Sequence, residues 1–294
     1  MILIINNVSR ADEIDPFFNE IKPQVVFHAA AFKHVPMLES QVFKAVKNNV
    51  LGTQLVCDLA DKYQVESFVL VSTDKAVNPT NNMGMSKRLA EIYCQKINRT
   101  SKTNFITVRF GNVLGSNGSV LPLFRKQLAT GGPLTVTHPD MTRYFMMIPE
   151  AVNLILQSYL LGRGGEIFVL EMGDPVRIVE LAEKLITLSG QKPYDQVNIK
   201  FTGVRPGEKL FEEIFHDSEK LSSTPNDKIL ISNARVYDDA KVAYLYKQIN
   251  DAYCSRNMDK LLLNMLSLVP EYSGHYQLSK SQKTTSPKLE LETI

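Results

Sequence analysis

Three cysteines in 294 residues, Cys57, Cys94 and Cys254, are odd in number, far apart and without a C-x-x-C pair, so they frame neither a disulfide scaffold nor a zinc site. Cys57 and Cys94 fall within amphipathic helical patterns and read as small core residues, and the compartment this implies is reducing and cytoplasmic. No apolar run approaches the roughly 18 residues that would span a membrane, and the N-terminus lacks the basic-then-apolar layout of a secretion signal. Charge of one sign is missing too: 33 Lys and Arg oppose 31 Asp and Glu, a net of +2, and the basic residues are scattered, which excludes a nucleic-acid groove. There is no internal repeat. Neither G-x-G-x-x-G nor G-x-x-G-x-x-G, the turn that cradles dinucleotide phosphates, occurs anywhere.

What is there is 44% apolar, enough to bury a full core as one large or two unequal domains. Short apolar runs at 1–5, 25–28, 68–72 and 105–110 read as buried strands, separated by helical patterns over 11–22, 40–63 and 84–98. The helix over 40–63 is the best defined, with apolar residues at 42, 45, 46, 50, 51, 55, 56, 59 and 60 on one face. Strand alternating with helix predicts an α/β fold, a doubly wound Rossmann-like parallel sheet with right-handed crossovers. Beyond Val120 the period becomes irregular. Strands at 134–136, 167–170 and 197–201, with helices over 149–161, 178–189 and from Leu210, predict a smaller α/β lobe over the strand ends. The expected organisation is therefore a dinucleotide-binding domain over 1–120, a substrate lobe with C-terminal helices over 121–272, and a disordered Ser-, Lys-, Thr- and Gln-rich tail over 273–294.

The strand Phe68-Val-Leu-Val71 ends in Ser72, Thr73, Asp74 and Lys75, followed by a Pro/Asn loop and the helix that carries Met83 and Lys87. Ligands of open parallel sheets sit outside the carboxyl ends of the strands, so these polar groups are candidates for a cleft. Asp74 and Lys75 offer an acid and a base whose pKa values a dry site can shift; an Asp-Lys dipeptide is equally common on plain surfaces. Met83 and Lys87 lie one helical turn apart on one face, and only the lysine can move a proton. His28-Ala-Ala-Ala31 after the second strand lets a flat ligand approach the backbone, or simply opens a helix. Arg205 and Glu208, around Pro206-Gly207, either bind an anion or are solvated.

Six stretches in order, His28-Ala-Ala-Ala31, Asn49-Val-Leu-Gly52, Ser72-Thr-Asp-Lys-Ala-Val-Asn-Pro79, Met83-x-x-x-Lys87, Val108-Arg-Phe-Gly-Asn-Val-Leu-Gly-Ser116 and Arg205-Pro-Gly-Glu-Lys209, resemble the extended short-chain dehydrogenase/reductase superfamily. More narrowly they resemble the polysaccharide-biosynthesis (CapD-like) UDP-N-acetylglucosamine 4,6-dehydratases, over about residues 1–235. The resemblance implies a bound NAD or NADP that takes a hydride from sugar C4, loss of water across C5–C6, and hydride return to C6. It makes Lys75 the base at C5, Asp74 the acid for the departing 6-hydroxyl, Thr73 a contact of the 4-oxygen, and Lys87 the holder of the nicotinamide ribose. Asn7, Val8, Ala29, Ala30, Ala31, Asn49, Ser72 and Phe110 would line the cofactor, with Asn7-Val8 standing where an Asp-Val pair meets the adenine. Lys33, His34, Asn112, Arg143, Arg205 and Glu208 would line the UDP-sugar.

Two departures qualify the match. Met83 stands where most of the superfamily has a proton-abstracting tyrosine, as it does in the large membrane-attached dehydratases. The superfamily's glycine turn belongs to a first strand–helix unit, and residues 2–5 resemble its third strand, so the first two βα units, roughly 30 residues each, are expected to be missing and NAD(P) binding to be weak or absent. The expected partner is a UDP-sugar, with a homo-oligomer open. The alternatives are a truncated, non-catalytic remnant that binds a UDP-sugar or a homologous partner, and a nucleotide-sugar 4-epimerase on the same fold.

Overall fold

The computed structural model describes residues 6–215, 220–232 and 235–274. The strand expected at 1–5 and the tail from 275 onward lie outside the described residues. Six strands form the main sheet: β1 (Val25–His28), β2 (Ser67–Val71), β3 (Asn104–Arg109), β4 (Ile167–Leu170), β5 (Leu221–Ser223) and β6 (Ile229–Ser232), in the order β1-β2-β3-β4-β6-β5. The first four run parallel, with Phe68 opposite both Val26 and Phe105, and β6 closes antiparallel on β4. Successive side chains of a strand point to opposite faces, and both faces here are covered. Phe68, Leu70 and Phe105 enter one core, while Val69, Ile106 and Val108 enter the other.

The eight longest helices are α1 (Ala11–Ile21), α2 (Gly52–Lys62), α3 (Asn82–Asn98), α4 (Val120–Ala129), α5 (Ile148–Leu161), α6 (Ile178–Leu188), α7 (Asp239–Cys254) and α8 (Met258–Leu268). The larger core joins α1, α2, α3, α7 and α8, and the smaller one packs Ala151 and Leu154 of α5 against the sheet. Because α7 and α8 cover its outer side, α3 is buried almost throughout from Asn82 to Gln95. Its enclosed side chains include Ser86, Lys87, Arg88, Glu91 and Gln95 as well as apolar ones. Cys57 and Cys94 meet inside this core, Sγ to Sγ 3.6 Å, both unbonded and buried.

A third cluster, Phe124, Leu134, Val136, Met141, Ile178, Ala182, Ile186 and Val197, forms a smaller unit around the two-stranded pair 134–136 and 199–201. The segment after residue 120 is not confined to it. β4 and β6 return to the main sheet and α7 and α8 to the larger core, because their apolar sides are matched there and not in the small cluster. The helix expected from Leu210 does not form; 210–215 runs as irregular turns. Glu212 in this segment faces Lys75 and Arg143, each 3.7 Å away, and residues 216–219 lie outside the described residues.

Candidate active site

β2 ends at Val71, and the ladder continues through the Ser72 amide to the Val108 carbonyl and the Asp74 amide to the Phe110 carbonyl. Thr73 then caps a short 3-10 turn, Asp74–Ala76, and the chain enters the loop before α3. Asn81 caps α3 by accepting from the Gly84 amide at 2.7 Å. Gly84 is required there, since a Cβ on it would lie 2.1 Å from the Lys75 carbonyl oxygen. This close approach holds the first turn of α3 against the strand end. It lets Lys87 reach back and donate from Nζ to the Val71 carbonyl at 2.7 Å.

A cleft of about 470 Å³ opens over these strand ends, between the sheet and the smaller unit. Thr73, Lys75, Met83, Lys87, Asn112 and Arg143 are on its wall, as are Ala29, Ala31, Ser72, Phe110, Lys33, His34, Arg205 and Glu208. Thirteen of the expected residues, counting Ser72 and Lys87 once each, are thus brought together. Asp74, Ala30, Asn7, Val8 and Asn49 contribute no wall.

Their positions are specific. Asp74 is fully buried behind Thr73 and Lys75; its Oδ1 accepts from Thr73 Oγ1 at 2.8 Å and Lys75 Nζ at 2.9 Å, and its Oδ2 has no partner. Asn49, also fully buried, sits in the π-helical turn Val46–Leu51 and clamps the loop after β1: it accepts from the Phe32 amide, donates to the Phe32 carbonyl at 2.9 Å, and donates to Ser86 Oγ. It shapes the cleft's floor without facing it. Asn7 accepts from Ser9 in the turn that precedes α1, and Val8 packs on the larger core.

Lys75 also donates to Asn112 Oδ1 at 3.1 Å. Burial opposes its charge, but the carboxylates of Asp74 and Glu212 outweigh that and hold its pKa above the ordinary lysine value. Burial dominates at Lys87 and lowers it to about 8, despite Glu91. Burial, then the Lys87 charge, pushes His28 down to about 3, so the imidazole is neutral against Thr53 Oγ1 at 2.9 Å.

Three groups that sequence reasoning passed over complete the site. Glu91 of α3 accepts from Ser72 Oγ at 2.6 Å, from Arg88 at 3.0 Å and from both Arg109 Nε and Arg109 Nη2 at 2.8 Å. Arg109 lies in the apolar run Phe105-Ile-Thr-Val-Arg-Phe110, and a charge inside a buried strand demands a partner. That was the available signal. Glu212 is the third, and nothing in its local sequence marks it. Arg143 is held by the carbonyls of Thr142 and Leu210 and lies 3.4 Å from Glu208, while the Pro206-Gly207 turn docks on α3's cap through Asn81 and Thr80, which donate to the Gly207 carbonyl. Among the described residues no three His, Cys, Asp or Glu side chains are grouped to hold a metal ion, and no helix is long and apolar enough to cross a membrane.

A parallel sheet whose polar strand ends meet a cleft under a smaller unit defines a doubly wound, Rossmann-like α/β fold with its ligand site at the carboxyl ends of the strands. The chain belongs to the family described as polysaccharide biosynthesis protein, which matches residues 1–234. It is 48% identical over 259 residues to the capsular polysaccharide biosynthesis protein CapD of Staphylococcus aureus, covering 88% of this chain and 43% of CapD. It thus spans less than half of that relative's length. A UDP-glucose 4-epimerase of Rickettsia canadensis is 38% identical over 251 residues, 81% of this chain and 71% of the epimerase. Among solved structures, Pen from Bacillus thuringiensis superposes with a TM-score of 0.72 at 33% identity, over 80% of this chain and 73% of Pen. DesIV, a dTDP-glucose 4,6-dehydratase of Streptomyces venezuelae solved with NAD, shares the fold with a TM-score of 0.64 at 22% identity, over 71% of this chain and 69% of DesIV.

Proposed function

We propose that this chain is the catalytic part of a nucleotide-sugar 4,6-dehydratase acting on UDP-N-acetylglucosamine in surface-polysaccharide biosynthesis. The observation that carries this reading is the Thr73–Asp74–Lys75 junction, in which a hydroxyl, a buried carboxyl and an amine form one hydrogen-bonded chain at the cleft. Dehydration across C5–C6 needs a base for a carbon-bound proton and an acid for the leaving hydroxyl on the same substrate. Lys75, on the wall, is placed to be the base. Asp74 is behind the wall, and its proton reaches the leaving oxygen through the Thr73 hydroxyl, which already contacts it. The step requires the amine form of Lys75 with a proton on Asp74 across their 2.9 Å contact, against the ammonium that the neighbouring carboxylates favour at rest.

The small side chains of Ala29 and Ala31, the Phe110 edge, Ser72 and the fixed Lys87 ammonium fit the nicotinamide half of NAD or NADP. That group, when bound, accepts and returns the hydride. Lys87 would hold its ribose, Arg143 and Arg205 would take the diphosphate of the sugar nucleotide, and Asn112 and Glu208 would orient it. The 38%-identical epimerase favours a second reading, 4-epimerisation, which needs no base at C5. Turnover of UDP-N-acetylglucosamine by the chain joined to the N-terminal segment of a CapD-type relative tests the assignment. Lys75→Ala and Asp74→Asn should each lose on the order of 10²-fold or more with substrate binding retained, whereas an epimerase would tolerate both.

A further inference from the structure

Glu212 belongs to no recognised part of the site, yet among the described residues it is the carboxylate shared by two cations of the cleft wall. Its Oε1 lies 3.7 Å from Lys75 Nζ and 3.7 Å from Arg143 Nε, and its side chain is only 4% exposed. Its Oε2 is buried without a hydrogen-bond partner. The residue contributes nothing to the cleft wall, so it acts through the two side chains it faces. We propose that Glu212 is a positioning residue that sets the proton affinity of Lys75 and ties it to the substrate-anion side of the cleft through Arg143.

The argument starts from what holds Glu212 in place. It sits in the irregular turn after Gly207, a segment with no helix or strand to position it. The charged groups around it are Lys75 and Asp74 from the strand-end turn, Arg143 from the 142–143 strand, and Lys209 from its own segment. Glu208 lies 3.4 Å from Arg143 Nη2, and Lys209 is itself bonded to Glu213 and the Val77 carbonyl. Burying a carboxylate is costly unless cations face it, and two partly buried cations at equal distance are what this one has. Burial, with the Asp74 charge, outweighs the pull of Lys75 and Arg143 and leaves the Glu212 carboxyl above the ordinary carboxylate range, so its charge depends on the two cations that face it.

The consequence for Lys75 rests on the dehydratase reading. Removing the C5 proton breaks the C5–H bond, forms an N–H bond on Lys75 Nζ and sends the electron pair towards the 4-carbonyl. An amine facing one carboxylate is a weaker base for that step than an amine facing two, because the second stabilises the ammonium that forms. Glu212 therefore raises the driving force for proton abstraction. Asp74 alone is also the acid and cannot serve both purposes once it gives up its charge.

The test reads Lys75 directly in the 294-residue chain, without turnover. Acetylation of Lys75 by limiting acetic anhydride, followed across pH by mass spectrometry, gives the midpoint at which the amine becomes reactive. Glu212→Gln should lower that midpoint by about one pH unit, a tenfold gain in Lys75 reactivity below it. Glu212→Asp, which keeps the charge but shortens its reach, should fall between. Surface lysines such as Lys184 should not move. UDP affinity by calorimetry should weaken several-fold in Glu212→Gln as Arg143 loses its anchor. An unchanged Lys75 midpoint in a folded Glu212→Gln overturns the proposal; if that variant does not fold, an unchanged midpoint in Glu212→Asp does the same. If the chain joined to the N-terminal segment of a CapD-type relative makes no dehydrated product while the 294-residue chain shows the shifted midpoint, the dehydratase reading is refuted and the Glu212–Lys75 linkage stands.

Discussion

At the scale of the residue, the cluster behind the strand end is the part of the site whose energetics are best defined. Burial alone would push the Glu91 carboxyl up, but the bidentate Arg109, then Arg88 and Ser72, reverse it and hold it at about 2, against an ordinary value of 4.5. A carboxyl depressed on folding contributes stability that is present above its unfolded value and is lost as pH falls through its folded one. Glu91→Gln should therefore cost about 3–5 kcal/mol near neutral pH, because Arg109 is left buried without its counter-charge. The gap between wild type and Glu91→Gln in urea melts should narrow as pH falls from about 4.5 towards 2. A gap that is constant over that range would mean that the carboxylate's charge is irrelevant. Met83, buried at 3% exposure on the cleft wall, has no proton to move. Met83→Ala should lower turnover far less than Lys75→Ala, and equal losses would show that the role assigned to Lys75 is wrong.

At the scale of the element, the join between β2 and α3 decides whether the site exists. Gly84 lets the helix start against the Lys75 carbonyl, and the obstacle there is backbone, which cannot swing aside. Gly84→Ala should destabilise by about 1–3 kcal/mol, as overpacking does, and should disturb turnover beyond that because it displaces Lys75 and Lys87 together. A variant with wild-type stability and turnover would contradict this account of the join. This join was also the most legible part of the sequence, since an apolar run, a polar strand end, a Pro/Asn loop and a helix are local signals. What was not legible came from far along the chain. Glu91 and Arg109 were passed over and Glu212 read as part of a helix from Leu210, because, apart from Arg88 one turn before Glu91, the partners that fix them lie 18 to 137 positions away and only the folded chain brings them together. Spacing likewise said nothing of strand order, so the return of Ile167–Leu170 to the main sheet beside β3 was not foreseen. Of the residues named from resemblance, those at strand ends other than Asp74 and Ala30 and those on the Arg205–Glu208 turn line the cleft, whereas Asn49 is a buried clamp on the loop after β1.

At the scale of the whole molecule, the two sides of the cleft come from different parts of the chain, the sheet edge supplying Thr73, Lys75 and Lys87 and the segment after residue 120 supplying Arg143, Arg205 and Glu208. The Pro206-Gly207 turn docks on the α3 cap, which ties both sides to one helix start. The chemistry proposed for that cleft leaves an isotopic record. With UDP-N-acetylglucosamine and NAD(P) in deuterium oxide, the chain joined to the N-terminal segment of a CapD-type relative is followed by proton NMR. Proton abstraction by Lys75 at C5 with loss of the 6-hydroxyl predicts a 4-keto-6-deoxy sugar nucleotide carrying solvent deuterium at C5. A 4-epimer that keeps its C5 proton would contradict the account.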